Sequence, residues 1–284
     1  SNWSLNDMLS YVHGWRLGLL AACLLLLIVT IYSARSAAVV ADPANVLATA
    51  AGPALSCALQ QSRSMHFADL GLLPFLLRSA NWSTGYFVEI GALDGLSFSN
   101  TIMLERCFGW KGLLIEGSPS NFAELRRNGR LATSVHSAVC DQVGFVDFVY
   151  SGTGAKGATN GQLGHGFRHD STKKAITGKI ARVPCKPLGA LMDDVSLPAV
   201  VDFLSLDVEG AEWNVIRTVD PARFRIIFVE MPGEGGNLTV PLQRVHDHIM
   251  AAGHRWARYY PDKGNRVYMH PSLAVNRCGR KCWK

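Results

Sequence analysis

Two short apolar runs, each closed by a carboxylate or a glycine turn, constrain this chain more than any other feature. Residues 86–95 read YFVEIGALDG, and residues 111–117 read KGLLIEG. Runs such as Phe87, Val88 and Ile90 suit strands buried on both faces, as in parallel sheets. Gly91 and Gly95 let the chain turn sharply toward a helix, and Glu116 closes the second run. A strand, a glycine turn, a helix and a second strand ending in an acid about twenty residues on describe a nucleotide pocket in a doubly wound α/β sheet. The glycines admit a ligand close to the backbone, and the acid can hold two ribose hydroxyls.

The rest of the chain alternates in the same way. Candidate strands are 86–90, 112–115, 133–139, 145–150, 203–206 and 226–229. Candidate helices are 70–78, 99–107, 119–127, 212–218 and 240–252. Such alternation predicts a mostly parallel sheet with helices on both faces. Residues 254–260 and 266–270 read as a closing hairpin. Residues 151–179 break the rhythm, being rich in Gly, Lys, Thr and His. So long a connection is either a functional lid or surface disorder. His165 and His169 lie i, i+4 within it, but no Cys or carboxylate set accompanies them, so no metal site is expected. His246 and His248 read as solvated residues of a polar helix.

The N-terminal part is of a different kind. Residues 17–34 carry no charge and lie between Arg16 and Arg35. At about 1.5 Å per residue they span about 27 Å, enough for a thin bilayer. An uncleaved anchor is the favoured reading. A cleaved signal peptide competes, since small residues at 33–38 offer a cleavage site. Single arginines on the two sides leave orientation open. The predicted organisation is a tail (1–16), a transmembrane signal anchor (17–34), an Ala-rich stalk or linker (35–64), a globular domain (65–275) and a basic Cys-containing tail (276–284).

Of the 7 cysteines, Cys23 falls in the apolar segment. Cys57, Cys107, Cys140, Cys185, Cys278 and Cys282 are compatible with three disulfides. For Cys107 and Cys140, buried free thiols are an equal alternative. The sequons at Asn81 and Asn237 fall in expected loops. With the cysteines they favour a luminal or extracellular domain. Net charge is +6, scattered except in the C-terminal tail, and no aromatic-plus-basic motif points to nucleic acid.

A second constellation, VDFLSLDVEGAEW at 201–213, ends a buried run in Asp207 and Glu209. Glu89, Glu116, Asp207 and Glu230 each follow an apolar run. Ligands of open α/β sheets sit beyond the carboxyl ends of strands, so these four acids are expected to converge on one rim. First-turn placement on a helix dipole is the competing account of Glu209 and Glu212.

Residues 87–95 (FVEIGALDG), 99–101 (SNT), 109–116 (GWKGLLIE) and 204–212 (LSLDVEGAE) resemble, in that order, the FkbM family of methyltransferases. The resemblance implies the seven-stranded class I fold, Rossmann-like and mostly parallel with a closing antiparallel hairpin, and S-adenosylmethionine as cofactor. It places Glu89, Gly91, Ala92 and Gly95 beside the methionine part, with Asp94 and Asn100 in the same binding set. Glu116 would hold the ribose, Ser118 would lie near the adenosine, and Asp141 near the adenine amine. Asp207 and Glu209 would face the sulfonium and the acceptor, either serving as base, with His165 as an outside candidate. Leu93 stands where commoner methyltransferase fingerprints have glycine, which argues against other branches more than against this one.

The pocket chemistry agrees with this. A sulfonium calls for carboxylates rather than a phosphate cradle, and GALDG departs from the dinucleotide pattern. The leading expectation is an O-methyltransferase acting on a sugar or other small hydroxyl acceptor, membrane-tethered, with its oligomeric state undetermined. Two alternatives stand behind it. One is a tethered trafficking or binding protein that keeps the fold, the other a nicotinamide-dependent oxidoreductase.

Overall fold

The computed structural model describes residues 43–81, 83–150, 161–162, 179–231, 238–257 and 264–273. The expected anchor (17–34), His165, His169 and the tail (276–284) lie outside them. Among the described residues no helix is long and apolar enough to cross a membrane. Contacts divide the chain into residues 1–59 and 60–284. The first unit is described through helix α1 (Pro43–Gln61), which falls within the stretch expected as a stalk.

The second unit begins a few residues earlier than the expected boundary at 65. Ser62 and Ser64 donate their hydroxyls to the buried Asp69 carboxylate at 2.6 and 2.9 Å. Helix α2 (Ala68–Ser79) leads into β1 (Tyr86–Ile90), then α3 (Ile102–Phe108), β2 (Lys111–Glu116), α4 (Pro119–Arg127) and β3 (Thr133–His136). Next come β4 (Ala138–Val139), β5 (Gly144–Tyr150), β6 (Gly161–Gln162), β7 (Lys179–Lys186) and α5 (Leu188–Asp194). The chain closes with β8 (Val201–Leu206), α6 (Glu212–Ile216), β9 (Phe224–Glu230), α7 (Val240–Ala251), β10 (Arg255–Trp256) and β11 (Asn265–Met269).

Seven strands form the main sheet in the order β10-β11-β9-β8-β1-β2-β3. Strands β3, β2, β1, β8 and β9 run parallel, with Val88 opposite both Leu113 and Leu204. Strand β11 lies antiparallel between β9 and β10. All six residues of β8 are buried, as an apolar run in a two-faced sheet demands. Leu242, Val245 and Ile249, at i, i+3 and i+7 on α7, add a helical stripe to the core. Sequence order departs from β1 toward β2 on one side and resumes at β8 on the other. That reversal leaves a crevice at the carboxyl ends of β1 and β8.

The expected single strand at 133–139 is instead two strands in two sheets. Ser137 donates its backbone N–H to Glu116 O (3.2 Å) and its hydroxyl to Pro184 O (3.1 Å), so the chain leaves β2 and joins β7. A small sheet of order β4-β7-β5-β6 results, with β5 and β7 antiparallel from Gly144↔Cys185 to Tyr150↔Lys179. A Cys140–Cys185 disulfide closes it. This excludes the free-thiol alternative for Cys140, and Cys107 is likewise disulfide-bonded. The solvated reading of the α7 histidines also fails. His246 Nδ1 lies 2.9 Å from the Tyr268 hydroxyl, and His248 packs edge-on against Trp213.

Candidate active site

At the end of β1 the chain turns through Gly91, whose φ is 84°. A Cβ there would sit 1.9 Å from the Asp207 carbonyl oxygen, so only glycine lets the two strand ends close. Asp207 N–H donates to Ile90 O at 3.2 Å across the same junction. Beside it lies a narrow cleft, with room for about 20 Å³ of water-sized volume between its walls. Glu89, Gly91, Ala92, Asn100 and Asp207 line it, together with Ser99 and Ser205.

Of the residues expected to bind cofactor, Gly95, Asp94, Glu116, Ser118 and Asp141 stand behind or away from this lining. Asp94 builds the turn itself, since its carboxylate accepts from Leu96 N–H, Ser97 N–H and the Ser97 hydroxyl. Gly95, with φ 78°, fits under Leu125. Ser118 caps α4, accepting from Asn121 N–H at 3.4 Å. Asp141 is half-exposed and pairs with Arg217.

Glu89 and Asp207 share the cleft lining, as the expected rim requires, but by their bonding the four acids fall into two sets. Glu89 and Glu116 are both only 4% exposed and hydrogen-bonded by the protein. Glu89 accepts from the Ser99 and Thr101 hydroxyls and from Asn100 N–H, at 2.8, 2.6 and 2.7 Å. Asn100 reaches on to the Ser205 hydroxyl at 2.9 Å, joining the loop to β8. Glu116 accepts from Leu93 N–H (2.8 Å) and Ser118 N–H (2.7 Å). Burial pushes its carboxyl up to about 7, against the pull of those bonds.

Asp207, Glu209 and Glu230 form the second set. One carboxylate oxygen from each lies within 4.8 Å of the others, and the Asp207 side chain is exposed. Although accessible, Asp207 is crowded by protein. That desolvation raises its pKa well above the usual carboxylate range, helped by the charge and hydrogen bond of Glu230 and by Glu209. Such a trio can hold a cation, metal or organic. Glu209 takes a left-handed φ of 55°, while Glu212 is buried and accepts from Gly210 N–H, which makes it part of the helix start.

Sequence reasoning missed Ser99 and Thr101 as Glu89 donors, Ser205 as the β8 contact, and Arg130. The buried Arg130 side chain donates to Gly95 O, Ser99 Oγ, Thr101 Oγ1 and Glu105 Oε1. An SNT motif immediately after a glycine turn was the available signal for the first two.

Residues 89–266 match the family model described as the methyltransferase FkbM domain. No curated protein matches the chain. Among solved structures, the chain is similar to a methyltransferase FkbM from Methylobacillus flagellatus KT, at 12% identity and a TM-score of 0.41. That likeness covers 80% of this chain but 60% of the other, so this chain spans under two thirds of it. A magnesium protoporphyrin IX methyltransferase from Synechocystis PCC 6803 with bound SAM shows 10% identity, a TM-score of 0.38, and coverage of 70% and 76% of the two chains. A precorrin-6y C5,15-methyltransferase from Geobacter metallireducens GS-15 shows 13% identity, a TM-score of 0.34, and coverage of 69% and 84%.

Proposed function

Because the chain belongs to the FkbM methyltransferase family, we propose that it binds S-adenosylmethionine in the cleft between β1 and β8. It then methylates a hydroxyl of a sugar or other small acceptor. The observation that carries this reading is the carboxylate trio Asp207, Glu209 and Glu230 beside that cleft. Three acids at close range favour a cationic ligand far more than a pyrophosphate. When bound, S-adenosylmethionine supplies an electrophilic methyl group on a positively charged sulfur.

The chain's own residues supply charge, orientation and a proton acceptor. The trio offsets the cation. Asn100, fixed between Glu89 and Ser205, shapes the cleft wall. Glu116 is the acceptor assigned to the two ribose hydroxyls, beside the backbone and side-chain donors that already engage it. Asp207, exposed beside the cleft, is the group placed to take the acceptor's hydroxyl proton on an ionised Oδ. Residues 17–34 tether the domain to a membrane, with the domain on the luminal or extracellular side. The Cys140–Cys185 disulfide supports an oxidising compartment, and the exposed Asn81 supports use of its sequon there.

Calorimetry with S-adenosylmethionine and with NAD tests the reading. Binding of the former alone, lost or weakened in Asp207→Ala, supports it. An untargeted search for methylated products, comparing wild type with Asp207→Ala in cells, then identifies the acceptor. Binding of neither ligand sinks the proposal and favours a tethered binding protein. The engagement of Glu89 and Glu116 by the protein's own donors is the observation on that second side.

A further inference from the structure

Arg130 follows α4 in a short polar turn, yet its side chain is 0% exposed. Its guanidinium serves four acceptors: Gly95 O at 2.6 Å, Ser99 Oγ at 3.1 Å, Thr101 Oγ1 at 2.9 Å and Glu105 Oε1 at 3.1 Å. It also lies 3.8 Å from Glu89 Oε2. Glu105 anchors the segment carrying Arg130, accepting Leu131 N–H (2.9 Å) and Ala132 N–H (3.0 Å). Ser99 and Thr101 each bond both Arg130 and Glu89, so one cation and one acid hold the same two hydroxyls.

We propose that Arg130 is the positioning residue of the cleft. It touches nothing in the lining except Ser99 and the adjacent Glu89, yet it locks the loop 95–101 from behind. Through Asn100 it thereby sets the distance between that loop and β8. The assignment rests on the cleft being the methyl-donor site proposed above. A buried, fully satisfied arginine is a rigid support, because removing it would strand Glu89 and Glu105 without a counter-charge. The fork geometry matters as much as the charge, since four acceptors in different directions match a guanidinium and not an ammonium.

The test is Arg130→Lys in the full chain, which keeps the charge and loses the fork. Hydrogen exchange at amides 96–101 is expected to accelerate about tenfold or more, with β8 and β9 amides unchanged. By calorimetry the S-adenosylmethionine dissociation constant is expected to rise about tenfold, as loss of preorganisation predicts. A purely structural role would lower protection across the main sheet uniformly, and that result overturns the proposal. So does unchanged loop protection with unchanged affinity. Should wild type bind no cofactor while the loop still loosens in the variant, the methyl-donor reading falls and the loop-locking role stands. If Arg130→Lys fails to fold, Ser99→Ala removes one guanidinium acceptor and one Glu89 donor, and it is read by the same two measurements.

Discussion

Among the described residues one cluster of twenty-two buried apolar side chains packs about the main sheet, with Val139 of β4 among them, whereas the separate cluster of the small sheet holds three: Ala138, Val183 and Cys185. Phe145, Ile180 and Val143 of the small sheet's region are 60%, 62% and 71% exposed. The first sheet is held by apolar burial. The second has a backbone ladder, little core and a disulfide joining residues 45 apart. The contrast teaches that neighbouring sheets of one chain can answer to different forces, and that each should break under a different perturbation.

The largest effect is expected in the main sheet. Phe203 is fully buried on β8, so Phe203→Ala should cost about 3–5 kcal/mol of global stability in chemical denaturation. A loss confined to part of the molecule would break the comparison. Replacing Cys140 and Cys185 by serine should release about 2–4 kcal/mol of constraint. Exchange is expected to quicken in β5 and β7 while β1 and β8 keep their protection. Equal loss in both sheets would show that the small sheet is a structural part of the large one.

The third prediction concerns Glu116, at the seam where Ser137 N–H meets its carbonyl. Its folded pKa of about 7 lies above the ordinary 4.5, so it favours folding fully below the lower value, and that advantage is lost as pH rises through about 7. The ribose, in contrast, needs the ionised form. Affinity for S-adenosylmethionine should therefore rise about tenfold between pH 6 and pH 8, and Glu116→Ala should flatten the profile and weaken binding by about 1–3 kcal/mol. The smallest effect is expected for Ile180→Ser on the exposed face of β7, within about 0.5 kcal/mol of wild type by thermal melting. A larger loss would reveal apolar support in the small sheet that its burial does not account for.

The sequence made the centre of the fold legible and its margin obscure, for physical reasons. Strands β1, β8 and β9 are mostly apolar, interrupted at Glu89, Asp202, Ser205, Arg225 and Glu230, and such runs suit a sheet covered on both faces. Helix α4 matches its expected bounds residue for residue because Ser118 caps it and Pro119 opens it. By contrast, β7 (KIARVPCK) mixes basic residues with Pro184 and shows no period. Its pairing with β5 and the disulfide make it a strand. In the site, the acids that end strands could be named, but not what each one bonds. Nothing in the sequence around Arg130 marks it, since its partners Glu105 and Gly95 lie 25 and 35 residues back.

Ser137 alone separates β3 from β4, so a single run of backbone feeds both sheets. Deleting one residue there would turn Ala138 and Val139 to the opposite face and drag the edge of the main sheet out of step. Between Tyr150 and Lys179, beyond the last pair of the β5–β7 ladder, the chain is under no such obligation. Insertions can accumulate in that interval while the crossing at Ser137 stays put. Relatives of this protein are therefore expected to differ in length inside the disulfide-bounded loop and to agree in length on its approach.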